Sequence, residues 1–189
     1  MASLLEEAYS PPLPSTSSLS PPPPILSYQL TQPILGVSTQ LLIQTFDDRI
    51  LVVLTQPGKI GSLVQASIPP VAQLPHPPPP SPSSGSTRRA HLPPPPDSIS
   101  TTPLLGAPPR PTLHALYTNQ IATLIWWTLQ ETSSARRPVV VGLALKHDRN
   151  ASGGLGEDDE EEVGDEERDR FLAIMDMVVQ WPGPSGNDI

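Results

Sequence analysis

The sequence predicts an α+β domain built on a small, mainly antiparallel sheet of about six strands with two helices. Short segments rich in Leu, Ile and Val predict the strands, and two longer segments with apolar residues at three- and four-residue spacing predict the helices. The distribution of proline agrees with these assignments, because eight of the 28 prolines lie in residues 1–33 and sixteen in residues 69–111, mostly outside the predicted strands and helices. Strands and helix interiors exclude proline, so about half of the 189 residues remain for one modest domain.

The predicted elements follow one another in the order β-β-β-β-β-α-β-α. The strands are expected at residues 25–31, 39–46, 49–55, 61–68, 100–105 and 138–145, and the helices at residues 111–132 and 168–181. The first strand alternates apolar and polar side chains, as half-buried strands do. Only Asp47-Asp48 separates the second strand from the third, and this spacing predicts a tight hairpin.

A turn and a further strand follow this hairpin. Gln56-Pro57-Gly58-Lys59 has proline at the second position and glycine at the third, as type II turns prefer. Residues 61–68 are then expected to continue the meander as its next strand. The strand at residues 100–105 contains Pro103, which confines it to an edge of the sheet.

Both predicted helices carry their apolar residues on one face. Pro111 suits the first turn of the first helix. The apolar residues of that helix are Leu113, Leu116, Tyr117, Ile121, Leu124, Ile125 and Leu129. Those of the second helix are Phe171, Ile174, Met175, Val178 and Trp181. Pro182 ends the second helix, and the acidic residues before it suit its N-terminal dipole.

Composition predicts that a single α+β domain over residues 25–182 is flanked and interrupted by disordered segments. These are a Ser/Pro-rich tail at 1–24, a proline-rich insertion at 69–98, an acidic insertion at 148–166 and a tail at 183–189. Residues 157–169 hold ten Asp or Glu and one Arg, whereas the whole chain has a net charge of -8. The rest of the chain is therefore nearly neutral, and the acidity belongs to one loop.

Two predicted strands are apolar on both faces. Residues 49–55 place Ile50, Val52 and Leu54 on one side and two further apolar residues, Leu51 and Val53, on the other. The strand at residues 138–145 is also apolar on both sides. Strands of this kind are normally buried on both faces. Two helices cover only one face of such a sheet, so we expect the sheet of a partner to cover the other.

The sequence offers little for catalysis. It has no cysteine, which excludes thiol chemistry, Cys-based zinc sites and disulfides, and its four histidines lack metal-ligand spacing. No GxSxG, HExxH or GxGxxG motif occurs, and Gly58-Lys59 lacks both the glycine five residues before Gly58 and the Ser or Thr after the lysine that a phosphate-binding loop requires. The sequence shows no candidate pair of nucleophile and base, and a composite site assembled in three dimensions stays open. We therefore predict no enzyme activity, no catalytic residues, no cofactor and no metal.

The remaining sequence signals concern location and partners. No signal peptide and no apolar stretch of membrane-spanning length is seen, so a cytoplasmic protein that also enters the nucleus is expected, without membrane contact. A pI near 4.8 and only two isolated arginine pairs disfavour nucleic acid as a partner. Lys59 and Ile60 at the turn, and Trp126 on the first helix, are the candidate partner-binding residues, whereas Trp127 is expected in the core.

The ordered segments resemble the proteasome assembly chaperone 3 family over about half of the chain. The resemblance lies in Gly36–Gln40 (GVSTQ), Arg49–Gln56 (RILVVLTQ), Gly58–Val64 (GKIGSLV), Leu104–Gly106 (LLG), the helix containing Leu113-His114, the strand VVVGLALK, and Val179–Trp181 (VQW). The ordered succession of these segments is more specific than any one of them.

The resemblance implies a non-catalytic chaperone that promotes α-ring formation in the 20S proteasome. It implies a heterodimer with a second, related assembly chaperone, the fourth of the series, and binding to proteasome α-subunits; a homodimer in isolation stays open. The N-terminal tail, the proline-rich insertion and the acidic loop depart from the compact family pattern. The alternative interpretation is a proline-rich adaptor, in which Pro77–Pro80 and Pro93–Pro96 bind SH3- or WW-type domains.

Overall fold

The computed structural model describes residues 25–56, 58–76, 92–146 and 164–184. Its elements are β1 (Leu26–Ile34), β2 (Val37–Thr45), β3 (Ile50–Thr55), β4 (Ser62–Ser67), β5 (Ser100–Leu105), α1 (Pro111–Glu131), β6 (Val139–Ala144) and α2 (Asp165–Val179). In this part of the chain the strands form one six-stranded, mostly antiparallel sheet, and the two helices pack on it. The predicted α+β class is confirmed.

The strand order is β1-β2-β3-β6-β4-β5, and only the pair β3–β6 is parallel. The expectation that β4 continues the meander beside β3 is wrong, because β6 lies between them. The composition of the strands explains this order. β3 and β6 are apolar on both faces and take the two central positions, whereas β4 alternates buried and half-buried residues. β5 lies at an edge, as Pro103 predicted.

Two hairpins join the first three strands. The predicted turn at Asp47-Asp48 is confirmed, with the Phe46 amide donating to the Arg49 carbonyl at 2.9 Å. The other turn, between β1 and β2, was not predicted. Ile34 pairs with Val37, and the two residues between them, Leu35 and Gly36, have φ of 48° and 76°. Positive φ at both positions is the type I′ geometry, which the sequence Leu-Gly signals only weakly because Leu rarely adopts it.

Both helices lie on the same face of the sheet, and the core is between them and the sheet. α1 packs against β4 and β6, α2 packs against β1, and the helices pack against each other. Ile50, Val52 and Leu54 of β3 face this core and are fully buried. α2 begins at Asp165, three residues before its predicted start, because Asp165, Glu166 and Glu167 form its first turn.

A buried polar contact fixes α2 on α1. The Tyr117 hydroxyl donates to Glu167 Oε1 at 2.7 Å, and Arg170 Nη1 donates to Glu167 Oε2 at 2.7 Å. Burial raises the pKa of Tyr117, and the hydrogen bond to Glu167 raises it further. The ring of Phe171 also lies 5.1 Å from that of Tyr117. The carboxylate thus has a partner on both oxygens, as a buried charge requires.

The first part of the predicted proline-rich insertion, residues 69–76, lies against the domain. Leu74 is only 5% exposed and belongs to the core. Arg136 Nη1 donates to the Ala72 carbonyl at 2.7 Å, and the His76 ring meets the Trp127 ring edge-on at 5.7 Å. These contacts hold residues 69–76 on the domain.

The segment after the middle of the insertion also packs on the domain. Pro93 and Pro96 are buried, and Gln120 Nε2 of α1 donates to the Pro93 carbonyl at 2.8 Å. Residues 92–98 are therefore part of the domain as well. Residues 77–91, the tail at 1–24 and most of the predicted acidic insertion lie outside the described residues, so the predictions for them remain predictions.

Candidate functional site

The sheet has a second face, opposite the helices, which we call the open face. Strand register assigns its residues: Leu42 pairs with Val53, Val53 with Gly142, Gly142 with Leu63, and Leu63 with Leu105. Leu51 and Val140, which pair with each other, lie on the same face. Apolar residues of four neighbouring strands, together with Leu105 at the edge, thus form one continuous surface, and both described helices lie on the other side.

The open face has no formal charge. None of the six strands contains Asp, Glu, Lys or Arg. The register places uncharged polar residues around the apolar surface, namely Ser27, Gln29 and Thr31 on β1, Ser38, Gln40 and Gln44 on β2, Thr55 on β3 and Gln65 on β4. A sheet face in contact with water normally alternates with charged or strongly polar side chains. The composition of this face is that of an interface core, from which charged residues are depleted.

The face is large enough for a stable protein interface. Its six strands of six to nine residues span roughly 25 Å across the strands and 20–30 Å along them, from spacings of ~4.8 Å and ~3.3 Å. Standard interfaces bury about 800 Å² on each partner. The apolar pattern of β3 predicted a face that a partner covers. Leu51 and Val53 do lie on the side of the sheet away from the helices, which is consistent with that prediction.

A shallow hollow at Gly142 lies near the centre of the open face. A Cβ atom at this position would lie 2.8 Å from Leu63 Cδ2, 3.7 Å from Ile60 Cγ2 and 3.8 Å from Val53 Cγ2. Three apolar side chains from three segments therefore converge above the glycine. The absence of a side chain at Gly142 lets Ile60 reach over the face from the turn before β4.

The candidate residues Lys59 and Ile60 are both exposed. Ile60 is 62% exposed despite its contact over the hollow at Gly142. The turn holds them in place through the Lys59 amide, which donates to Thr55 Oγ1 at 3.1 Å, and through Gly58 at φ 69°. This φ is the one that the third position of a type II turn requires. The structure therefore brings the predicted tip to the end of the open face.

The third candidate, Trp126, lies apart from this surface. It is 1% exposed, on the helix side of the sheet, and its Nε1 donates to the Arg137 carbonyl at 2.8 Å. Trp127, which was expected in the core, is the more exposed of the two and is half-buried. A role of Trp126 in partner binding stays a prediction, and we leave this residue out of the proposed contact surface because it offers almost no accessible area.

The structure contains a hydroxyl–imidazole pair that the sequence did not predict. Ser62 Oγ lies 2.8 Å from His114 Nε2, and Thr118 Oγ1 lies 3.3 Å from His114 Nδ1. Burial lowers the pKa of His114, so the ring is neutral at neutral pH. The pair is of the composite kind that the sequence left open. Ser62 and His114 are 52 residues apart in sequence, and only the packing of α1 on β4 brings them together.

Two other kinds of site were sought in the described ranges. Among those residues, no cluster of three or more His, Asp or Glu is arranged to hold a metal ion. Neither of the helices there has the length and apolarity needed to cross a membrane.

Comparison with known proteins gives structural likenesses and no match in sequence. No model of a protein family matches the sequence, and no curated protein matches it. Among solved structures, a chain of a chaperone complex for yeast 20S proteasome assembly is 15% identical, with a TM-score of 0.45, over 80% of this chain and 94% of that chain. A likeness at this level of identity and TM-score assigns neither family nor function.

Proposed function

We propose that this protein is a non-catalytic assembly chaperone for the 20S proteasome. It acts as a heterodimer with a related chaperone of similar fold and promotes α-ring formation by binding α-subunits in the cytoplasm and nucleus. The open face is the observation that carries the proposal, because an uncharged apolar surface on the neighbouring strands β3, β6 and β4 needs a partner. The sequence resemblance supplies the class of partner.

The open face is the surface on which the second chaperone binds. Backbone hydrogen bonds of the sheet hold the strands of this face in place before the partner binds. The chain therefore loses little conformational entropy on binding. A partner with a similar sheet covers Leu51, Val53 and Val140 and forms a shared core between the two sheets. Sheets packed in this way lie about 10 Å apart.

The α-subunit contact lies at the tip formed by Lys59 and Ile60. This tip follows the end of β3, and Ile60 is 62% exposed in the single chain, so the tip offers accessible apolar area beside a charge. A chaperone of this kind stabilises an assembly intermediate because it binds that intermediate better than the finished particle. Its release follows when the next subunit occupies the same surface.

The decisive experiment is affinity purification of the tagged protein followed by mass spectrometry. We expect α-subunits of the proteasome, without mature β-subunits, and one further small protein of similar fold. The variant Leu51→Glu, which introduces a charge on the open face, should lose that small protein. The control Leu116→Glu changes a leucine that is 44% exposed on α1 and should retain it. Capture of mature 20S particles, or of no proteasome subunit, would contradict the proposal.

The adaptor alternative finds less support in the described residues. Pro93 and Pro96 are buried against the domain, and the Pro93 carbonyl accepts a hydrogen bond from Gln120. A polyproline ligand for an SH3 domain must present these groups to its partner. Deletion of residues 77–91 separates the two functions, because a chaperone should keep its partners while an adaptor should lose them. This deletion leaves Leu74 and Pro93 in place, so the fold is kept.

A further inference from the structure

A pocket lies on the helix side of the sheet, where β4 begins, β6 ends and α1 begins. Its volume is about 390 Å³, within the range of roughly 300–1,000 Å³ that is usual for small-molecule sites. Its walls are mainly apolar, formed by Pro108, Pro109, Leu113, Leu143 and Leu145. The open face lies on the opposite side of the sheet, so this pocket is a separate feature of the molecule.

The pocket contains one cation without a partner. Arg110 lines it and is half-buried, and its guanidinium has no hydrogen bond or ion pair with any described residue. The other described arginines that are half-buried or buried are all engaged: Arg136 and Arg137 with backbone carbonyls, and Arg170 with two carboxylates. A guanidinium partly removed from water and left unpaired is an unfavourable arrangement, which a bound anion would relieve.

No other group in the pocket neutralises Arg110. None of the described residues that line it is acidic. Glu167, which is bound to the lining residue Tyr117, has both of its oxygens engaged, one by Tyr117 and one by Arg170. The neutral pair of Ser62 and His114 forms another polar part of the lining and adds no charge. The pocket is therefore an apolar space with a single positive group at its edge.

We propose that this pocket binds a carboxylate carried on an apolar group. Arg110 binds the carboxylate, for which its planar guanidinium can supply two parallel hydrogen bonds. The proline and leucine walls enclose the apolar part. Two sources share this chemistry: the C-terminal residue of a peptide and a free aliphatic acid. This site is independent of the proposed chaperone function, because none of its argument uses the open face or the tip.

Titration followed by amide chemical shifts tests the site on the full chain. The probes are N-acetyl-leucine for a peptide terminus and octanoate for an aliphatic acid. The control probe is N-acetyl-leucine amide, which lacks the carboxylate. We expect at least one acid to shift the amides of Gly106, Arg110 and Leu145 with saturation, and the amide probe to bind at least about tenfold more weakly, since charge-assisted hydrogen bonds are the strong ones. Saturation by one acid alone identifies the source.

Variants show whether Arg110 is the group that binds. Arg110→Gln should weaken binding about tenfold or more, and Arg110→Lys, which keeps the charge without the bidentate geometry, should weaken it less. Arg49→Gln removes the same charge at the opposite end of β3 and should leave binding unchanged. The proposal is overturned by the absence of shifts with both acids, by equal binding of acid and amide probes, or by unchanged binding in Arg110→Gln.

Discussion

The two faces of the sheet both carry apolar side chains but have different surroundings. Val52 and Val53 are neighbours on β3, and Val52 lies beneath the helices while Val53 lies on the open face. The helix side carries the main core cluster, whereas no described helix covers the open side, where Val53 and Val140 are buried and Leu51 is half-buried. The difference indicates that the first face determines the fold of the single chain and that the second determines what the chain binds.

The sharpest test of this comparison uses adjacent leucines of β2. Leu41 is 1% exposed beneath the helices, and Leu42 lies on the open face. We expect Leu41→Ala to lower the free energy of unfolding by about 2–5 kcal/mol, the range for a buried leucine. Leu42→Ala should cost less than about 1 kcal/mol in dilute monomer. Urea denaturation measures both. Equal costs in the dilute monomer would show that the open face is already covered.

A smaller loss of stability is expected from a substitution at Gly61, where the turn that carries Lys59 and Ile60 contacts β6. A Cβ at Gly61 would collide with the carbonyl oxygen of Leu143 in the backbone of β6. Gly61→Ala must therefore move the turn that carries Lys59 and Ile60, and we expect a loss of about 1–3 kcal/mol in unfolding free energy, as for other overpacked sites. Gly164→Ala is the control, because its Cβ would meet no atom within 4 Å. Unchanged stability in Gly61→Ala would mean that the tip is not fixed to the sheet.

The pH dependence of stability tests the helix side at His114. Burial lowers its pKa in the folded state, so the unfolded chain binds the proton more readily. Stability from this group is present above the unfolded pKa of about 6.5 and is lost as pH falls towards the folded value, by at most ~1.4 kcal/mol per pH unit. Ser62 and Thr118, its hydrogen-bond partners, are not charged. His114→Gln should flatten the profile between pH 7 and 5, and a profile that is unchanged in this variant would contradict the prediction.

The smallest effect is expected at the tip. Lys59→Glu reverses an exposed charge, so we expect less than about 0.5 kcal/mol change in unfolding free energy. Binding of α-subunits should weaken several-fold, mainly through slower association, as for other charges at the rim of an interface. Surface plasmon resonance with purified α-subunits measures this. If association is unchanged, the tip is not part of the contact.

The sequence predicted the fold well where local patterns determine it. The alternation in β1, the two-residue turn at Asp47-Asp48, the proline at the start of α1 and the edge position of β5 are all local signals. The position of β6 between β3 and β4 is not local, and no turn motif indicates it. Its two apolar faces indicated burial on both sides, and its place in the strand order depended on long-range packing.

The candidate site was predicted in part. The two-faced β3 indicated a second apolar surface, but Leu42 and Leu63 became part of it only through strand register, which the sequence does not specify. Trp126 was chosen as a candidate for partner binding because two adjacent tryptophans cannot both lie in the middle of one helix face. The segments at residues 69–76 and 92–98 also pack on α1, so more of the helix surface is buried than the helical spacing alone indicated. The pocket at Arg110 joins segments far apart in sequence.

The open face as a partner surface is tested most directly by light scattering coupled to size exclusion. The protein is measured alone at tens of micromolar and again after affinity capture of its partner. We predict a two-subunit mass in at least one of these samples, and a monomer in both for Leu51→Glu, with Leu116→Glu unchanged. A monodisperse monomer of the unmodified protein in both samples, or a two-subunit mass that persists in Leu51→Glu, would contradict the account.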